Sequence, residues 1–328
     1  MIIIKTPFRV SFFGGGTDLK SFYSIEDGCT ISTTINKFVY VLVKKQSGII
    51  EKKYKINWKK NEYTNNINKI EHPIIRETLK YFKINYPIEI ASFADIPAST
   101  GLGSSSAFAV GLVHALLLLE KKKVNKKIIS KIASTIEVDI LKRSIGKQDH
   151  YASCYGGFNR YIFKKDETVV IKKLQFTYKQ IKSLEDNLIM LFTGIKRDAH
   201  KILQHQSKSN NQKNYDNFLK LKNFCNKYFD QSSRQNNIKN FGKDLHNYWK
   251  LKKKLSVKIS NHTIDNYYDI AIKNGAIGGK ILGAGGGGFL LFYSRKKNHK
   301  KIIHSLSNLS ILDFKFTKSG TEIIYKKN

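Results

Sequence analysis

Glycine placement constrains this chain more than any other feature. Thirteen of its 22 glycines fall in three short segments: Gly14 to Gly16, Gly101 with Gly103, and eight between Gly275 and Gly288. Flexible linkers do not gather glycine so selectively. Each segment has β-type apolar residues on one side and a helical or second extended run on the other, an arrangement that brings backbone close to a ligand.

The first segment follows extended runs at residues 1–4 and 9–13, and Thr30 to Val43, rich in Ile, Thr, Val and Tyr, reads as a strand. Pro73 opens a helix with the apolar stripe Ile74, Ile75, Thr78, Leu79 and Phe82, and Ile88 to Ala94 reads as the next strand. The second glycine segment opens a helix whose apolar residues, Phe108, Val110, Leu112, Val113, Leu116 and Leu119, cover nearly every face, which predicts burial. Ile128, Ile132, Ile136 and Ile140 form an i, i+4 ladder, a further helix ending near Gly146; Glu137 lies beside that stripe, where a carboxylate is ordinarily exposed. From about Gln180 to residue 273 the texture is helical, with many Lys and Asn. A domain boundary is therefore expected there, giving domains at 1–180 and 181–328. The third glycine segment sits between β-like runs at 279–282 and 289–293, and residues 321–325 offer a last strand.

Hydrophobic residues make up 41% of the 328 positions, too many for a disordered chain. Lys and Arg total 58 against 25 Asp and Glu, a net charge of +33 that raises nucleic acid or an anionic membrane as partner. Only seven of the 58 are Arg, and the lysines are strewn through runs such as 121–127 and 250–258, the pattern of solvated faces. Neither nucleic acid nor membrane is expected. Cys29, Cys154 and Cys225 are far apart and in no CxxC pair, so neither a disulfide framework nor a thiolate metal site is indicated, and a reducing cytoplasm fits. The longest apolar run, Ala107 to Leu119, contains His114 and falls short of the roughly 18 to 20 residues of a membrane span. Lys5, Pro7 and Arg9 interrupt the place where a signal peptide needs an apolar stretch, so a cytoplasmic location is expected.

The chemistry concentrates at residues 97–107, PASTGLGSSSA, with five hydroxyls around two glycines at the entrance of the apolar helix. Free N–H groups at a helix N-terminus, the helix dipole and small residues together favour an anion. The loop residues expected to grip a phosphate are Pro97, Gly101, Leu102, Gly103, Ser104, Ser105 and Ser106, and a hydroxyl among them suits a magnesium ion. No GxxxxGK[ST] occurs, nor a GxGxxG with a ribose-binding acid about 20 residues on. A Ser-rich N-cap is the bland alternative, but a cap needs one hydroxyl.

This segment resembles the central phosphate-binding motif of the GHMP kinases, the sugar, homoserine and mevalonate kinase superfamily. Residues 7–18, PFRVSFFGGGTD, resemble its N-terminal substrate motif, and residues 280–289, KILGAGGGGF, its C-terminal glycine-rich motif, all three in family order. The resemblance implies a two-domain α+β fold, a mixed-sheet N-terminal domain and an α/β C-terminal domain, with ATP and Mg2+ as cofactors and the active site between them. It maps the catalytic aspartate onto Asp149 within residues 146–150, GKQDH, with Arg9 holding that carboxylate ionised and offsetting phosphoryl charge. It maps the magnesium ligands onto Ser105 and Glu137, with Ser104 or Ser106 and Asp139 as alternatives. Asp18, with Gly16, Thr17, Gly285 and Gly286, falls to substrate binding; a turn-stabilising role is the plainer reading of Asp18. Galactokinase-like members carry Glu-His where Gly15-Gly16 stand here, which counts against galactose.

Within the family, residues 34–40, 146–149, 193–199 and 249–253 resemble the heptose 7-phosphate kinases, which phosphorylate an anomeric hydroxyl in the supply of nucleotide-activated heptose for capsule or surface polysaccharide. A substrate already bearing a distal phosphate needs a cationic receptor, and Arg197, with Lys196 and Lys201, is the candidate. His200, His205 and His246 have no metal-ligand spacing. The competing readings are another GHMP sugar 1-kinase, for fucose or an amino sugar, and a basic RNA-binding or sugar-sensing protein without catalysis. The expected partner is a small-molecule sugar phosphate; the oligomeric state, a homodimer included, is left open by the sequence.

Overall fold

The computed structural model describes residues 1–196, 202–203, 212–232 and 238–327. Its first sheet has nine strands built around β1 (Ile2–Phe13) and β2 (Gly28–Lys45), which pair antiparallel along most of their length. The two short N-terminal runs of the sequence are thus one strand. The far edge of β2 is shared: its end carries β5 (Ile88–Ala94), followed by β3 (Tyr54–Asn57) and β4 (Asn61–Thr64), and its beginning carries β6 (Asn159–Phe163) and β7 (Val169–Lys173). The chain end returns here, β12 (Phe316–Thr317) pairing β2 and β13 (Glu322–Lys326) pairing β1.

The register of β1 slips between Pro7 and Arg9 and again between Ser11 and Phe13. Proline lacks the N–H for a continuous ladder, and a bulge re-aims the side chains beside it. Arg9, between these slips, donates its backbone N–H to Leu102 O at 3.1 Å, tying the sheet to the hydroxyl-rich loop.

Helix α1 (Lys20–Tyr23) is a single turn after the first glycine segment, and α2 (Pro73–Tyr81) starts on Pro73 with the His72 ring accepting from Ile75 N–H. Helix α3 (Ser104–Leu119) buries every residue from Ser106 to Leu117 against β1 and β2, with α4 (Lys126–Ser134) and α5 (Gln148–Tyr155) beside it. The isoleucine ladder does not continue as α-helix. Residues Thr135–Ile140 form a π turn, with Leu141 N–H reaching Ile136 O at 3.0 Å, and its wider spacing shifts which side chains face inward. Glu137, expected at the exposed margin, is 0% exposed.

A second, antiparallel sheet runs β11 (Ser310–Ile311), β8 (Leu188–Phe192), β10 (Phe289–Ser294), β9 (Ala276–Ile281). Helices α6 (Tyr178–Asp186), α7 (Gln212–Ser232), α8 (Phe241–Lys253), α9 (His262–Lys273) and α10 (His299–Ser305) accompany it. Strand β8 corrects the all-helical reading of this stretch: five successive apolar residues, LIMLF, carry no period of their own, and pairing with β10 decides their conformation. Helix α8 lies on β9 and β10 and also touches β1, and Lys252 near its C-terminus meets the first glycine segment.

Candidate active site

All three glycine segments converge on one cavity of about 790 Å³. Arg9 and Ser11 of β1, the turn at Gly15 to Asp18, the loop at 98–106, the segment 141–149, and Lys252, Lys280, Gly283 and Ala284 contribute to its wall.

At its centre Arg9, 3% exposed, donates from Nε to Asp149 Oδ1 and from Nη2 to Asp149 Oδ2, both at 2.7 Å, and from Nη1 to Gly101 O at 2.7 Å. A planar guanidinium matched to both carboxylate oxygens fixes orientation as well as charge. Asp149 stands in the first turn of α5 and not on an open loop; its side chain is 24% exposed, toward the cavity it lines. Gln148 Nε2 reaches Asp149 Oδ1 at 3.3 Å and is itself held by Ser11 Oγ at 2.7 Å.

The loop between β5 and α3 turns through left-handed backbone at Ser99, Gly101 and Gly103. Gly103, at φ +80°, is the N-cap of α3; a side chain there would strain the backbone, and its Cβ would stand in tight contact, 3.3 Å, with Asp149 Oδ2 and Arg9 Cγ, so glycine favours this close approach of loop and carboxylate. Phe289 N–H donates to Thr100 O at 3.1 Å, which braces the third glycine segment against this loop.

Beside the loop, Ser105 Oγ donates to Glu137 Oε1 at 2.9 Å, Arg143 Nη1 donates to the same oxygen at 2.6 Å, and His150 Nε2 pairs with Oε2 at 2.9 Å. Burial alone pushes the Glu137 carboxyl up, but His150, Arg143 and Ser105 outweigh it and hold the group at about 2. A carboxylate kept charged beside a hydroxyl fits a magnesium ion, which takes one or two protein oxygens and fills its octahedron with phosphate oxygens and water. No group of three or more His, Cys, Asp or Glu among the described residues offers a complete metal cage.

Asp18 is buried, accepting from Gly16 N–H at 2.8 Å and Gln148 N–H at 3.3 Å. It is thus a turn-holder and a wall of the cavity at once. Burial, then the negative charge of Asp149, raise its proton affinity. A Cβ on Gly146 would lie 1.8 Å from Asp18 Oδ2, so the glycine of the 146–150 segment makes room for that carboxylate.

The N-terminal domain description of the GHMP kinases matches residues 52–157 and the C-terminal description matches residues 226–310. The chain belongs to the GHMP kinase superfamily. It is 28% identical over 330 aligned residues to the D-glycero-alpha-D-manno-heptose 7-phosphate kinase of Campylobacter jejuni serotype O:2, covering 97% of each chain. A D-glycero-D-manno-heptose 1-phosphate kinase from Bacteroides thetaiotaomicron superposes with a TM-score of 0.79 at 22% identity, over the whole of both chains. Streptococcus pneumoniae phosphomevalonate kinase, solved with phosphomevalonate and AMPPNP, superposes with a TM-score of 0.77 at 16% identity, over 97% of this chain and 100% of its own. This GHMP member is a sugar kinase with the two-domain mixed-sheet architecture that its motifs implied.

Most of the motif residues of this GHMP kinase meet in the cavity: Arg9, Gly16, Asp18, Gly101, Gly103, Ser104, Ser105, Ser106 and Asp149 all line it. Pro97, Leu102, Thr17, Gly285, Gly286 and Glu137 do not. Pro97 is an exposed turn residue whose carbonyl accepts from Thr100 Oγ1, and Leu102 is fully buried, anchoring the loop through its bond from Arg9 N–H. Thr17 spends its hydroxyl on Gly14 O, Cys29 O and Cys29 N–H within 2.9 Å, a structural pin behind the turn. Gly285 and Gly286 press against residues 258–259, and their neighbours Gly283 and Ala284 line the cavity instead. Glu137 lies behind Ser105, reached through that hydroxyl. Of the weaker metal alternatives, Ser104 and Ser106 face the cavity and Asp139 does not. Arg197 and Lys201 fall outside the described residues; Lys196 lines the cavity and is exposed.

Lys252, Lys280, Tyr248 and Gln148, to which no motif assigns a role, also line the cavity. Two of these are lysines only 3% and 2% exposed. In a chain this rich in lysine their residue type carries no signal; their only mark was membership of segments 249–253 and 280–289.

Proposed function

We propose that this protein is an ATP- and magnesium-dependent kinase that phosphorylates the anomeric hydroxyl of D-glycero-D-manno-heptose 7-phosphate, giving the 1,7-bisphosphate and ADP. The bidentate Arg9–Asp149 pair, held at the foot of the glycine loop and open to the cavity, carries the reading. Similarity to the Campylobacter heptose 7-phosphate kinase over 97% of the chain favours the substrate.

In this reading the loop at 101–106 and the N-terminus of α3 cradle the nucleotide phosphates. Asp149 accepts, or orients toward itself, the proton of the attacking hydroxyl through a lone pair that Arg9 leaves free. The sugar oxygen bonds the terminal phosphorus as the bridging oxygen departs with ADP, and Arg9 stays cationic beside the charge of the transferring group. Ser105 and Glu137 would hold magnesium, which when bound neutralises phosphate charge. Asp18, whose two oxygens each accept one backbone N–H and keep a further lone pair, would accept from sugar hydroxyls adjacent to the reacting one. The division into residues 1–180 and 181–328 belongs to the same reading, with β12 and β13 returning across it. So do a cytoplasmic location and a role in supplying heptose for surface polysaccharide.

The test is coupled-enzyme ADP release with a panel of heptose 7-phosphate, free heptose, fucose, galactose and amino sugars, and phosphorus NMR of the product. A new anomeric phosphate formed on the 7-phosphate supports the reading. Turnover of free sugars alone would replace it with a different sugar 1-kinase, and no turnover at all would remove the kinase assignment.

A further inference from the structure

The two oxygens of the Asp149 carboxylate are not equally engaged. Oδ1 accepts from Arg9 Nε at 2.7 Å and from Gln148 Nε2 at 3.3 Å, whereas among the described residues Oδ2 accepts only from Arg9 Nη2, at 2.7 Å. A carboxylate oxygen offers two lone pairs, so Oδ1 is filled and Oδ2 keeps one open. Oδ2 is also the oxygen turned toward the phosphate loop: a Cβ on Gly103, the N-cap of α3, would stand 3.3 Å from it.

Gln148 creates this asymmetry, and its own amide is held from both ends. It is the first residue of α5 and 5% exposed; its backbone N–H donates to Asp18 Oδ2 at 3.3 Å, and its Oε1 accepts from Ser11 Oγ at 2.7 Å. A carboxylate in a salt bridge with Arg9 accepts hydrogen bonds and donates none, so the amide must present Nε2 to Asp149 and turn Oε1 to a donor, which the Ser11 hydroxyl supplies. The opposite orientation would set Oε1 against Oδ1, acceptor against acceptor. Ser11 stands where the register of β1 slips a second time, and Lys280 Nζ pins that stretch by donating to Ser11 O at 3.0 Å and Phe12 O at 3.1 Å. A bulge re-aims the side chains beside it, and here the Ser11 hydroxyl meets a residue 137 positions away in sequence.

We infer that Ser11 and Gln148 are positioning residues for the phosphoryl transfer: the chain from Ser11 Oγ through the Gln148 amide occupies Asp149 Oδ1, and the open lone pair of Oδ2, on the loop side, meets the attacking hydroxyl. This rests on the kinase reading above and deepens it by naming the reacting atom, whichever sugar is bound. The proton of that hydroxyl goes to Oδ2 as its oxygen bonds the terminal phosphorus and the bridging oxygen leaves with ADP. Without the Gln148 donor a second lone pair opens on Oδ1, and a hydroxyl held there is farther from the loop.

The experiment is steady-state ADP release on the sugar of the panel that the wild type turns over fastest, with Gln148→Leu, Gln148→Glu, Ser11→Ala and the double variant Ser11→Ala/Gln148→Leu, each checked for Tm. Gln148→Leu should lower kcat roughly 5- to 30-fold, with KM for ATP and for the sugar held within about threefold. Gln148→Glu keeps the shape and the acceptor for Ser11 but sets a carboxylate against Oδ1; at about pH 8, where that carboxylate is ionised, kcat should fall at least as far. Ser11→Ala should cost about 2- to 10-fold in kcat, and nothing further in the Gln148→Leu background, because the hydroxyl acts only through the amide. A wild type without turnover would remove the kinase reading and this assignment together. With an active wild type, a Gln148→Glu kcat within about twofold would overturn the positioning role alone. So would a change confined to KM for the sugar, the mark of a binding contact, or losses in Ser11→Ala and Gln148→Leu that multiply in the double variant. Should Gln148→Leu fail to fold, Gln148→Glu and Ser11→Ala decide by the same limits.

Discussion

Replacing Asp149 by asparagine preserves shape and removes one charge at the point where Arg9 makes two 2.7 Å bonds. Whichever way the amide is turned, its NH2 faces an N–H donor of Arg9, so one of the two contacts is lost and a nearly buried guanidinium, 4% exposed, loses its counter-charge. Two consequences separate. Proton acceptance or steering by the carboxylate is worth about 10²- to 10⁴-fold, or roughly 3 to 5 kcal/mol of barrier. Because the side chain at 149 is partly open to solvent, the stability cost is smaller, about 1 to 3 kcal/mol. Coupled ADP release at saturating ATP and sugar phosphate measures the first, and urea unfolding measures the second. The expected result is a kcat lowered at least about 100-fold with ATP affinity nearly kept. A kcat within a few-fold of wild type, in a variant that remains folded and binds ATP, would refute the role given to Asp149.

Glu137 gives a pH prediction with a definite sign. Its carboxyl lies at about 2 in the fold against an ordinary 4.5, so its stabilising effect is complete above 4.5 and is lost as pH falls through 2. The displacement corresponds to roughly 3 kcal/mol, and the stability gap between wild type and Glu137→Gln should shrink by up to that amount between about pH 5 and pH 2. An unchanging gap across that range, measured by denaturant unfolding, would contradict the buried ion-pair account. Thr17→Val should lower stability by about 1 to 3 kcal/mol, since it strands Gly14 O, Cys29 O and Cys29 N–H, while KM for the sugar phosphate stays within about twofold. A KM effect without loss of stability would restore Thr17 to the substrate site.

The parts legible in the sequence were those where residue type is dictated by backbone geometry. Three glycine clusters could be read as close approaches of backbone to ligand, and their convergence on one cavity follows from β1, β9 and the β5–α3 loop meeting there. Helix α3 was legible because an all-apolar helix has nowhere to go but the core. Glu137 was not, because a π turn breaks the 3.6-residue period that made it look marginal. Strand β8 was hidden because five apolar residues fit either a strand or a helix until β10 pairs with them. Lys252 and Lys280 were hidden for the opposite reason, abundance: only packing distinguishes two buried ammonium groups from the lysines around them. Thr17 shows the converse error, a motif residue whose chemistry is used up in holding the turn.

In the proposed reaction the loop at 101–106 holds the polyphosphate of ATP, and the Arg9–Asp149 pair at the foot of that loop faces the terminal phosphorus. A crystal structure with a non-hydrolysable ATP analogue and heptose 7-phosphate tests it most directly. The triphosphate is expected on the N-terminus of α3, with the sugar's anomeric oxygen within hydrogen-bond distance of Asp149. A nucleotide bound elsewhere, or an anomeric oxygen turned away from Asp149, would contradict it.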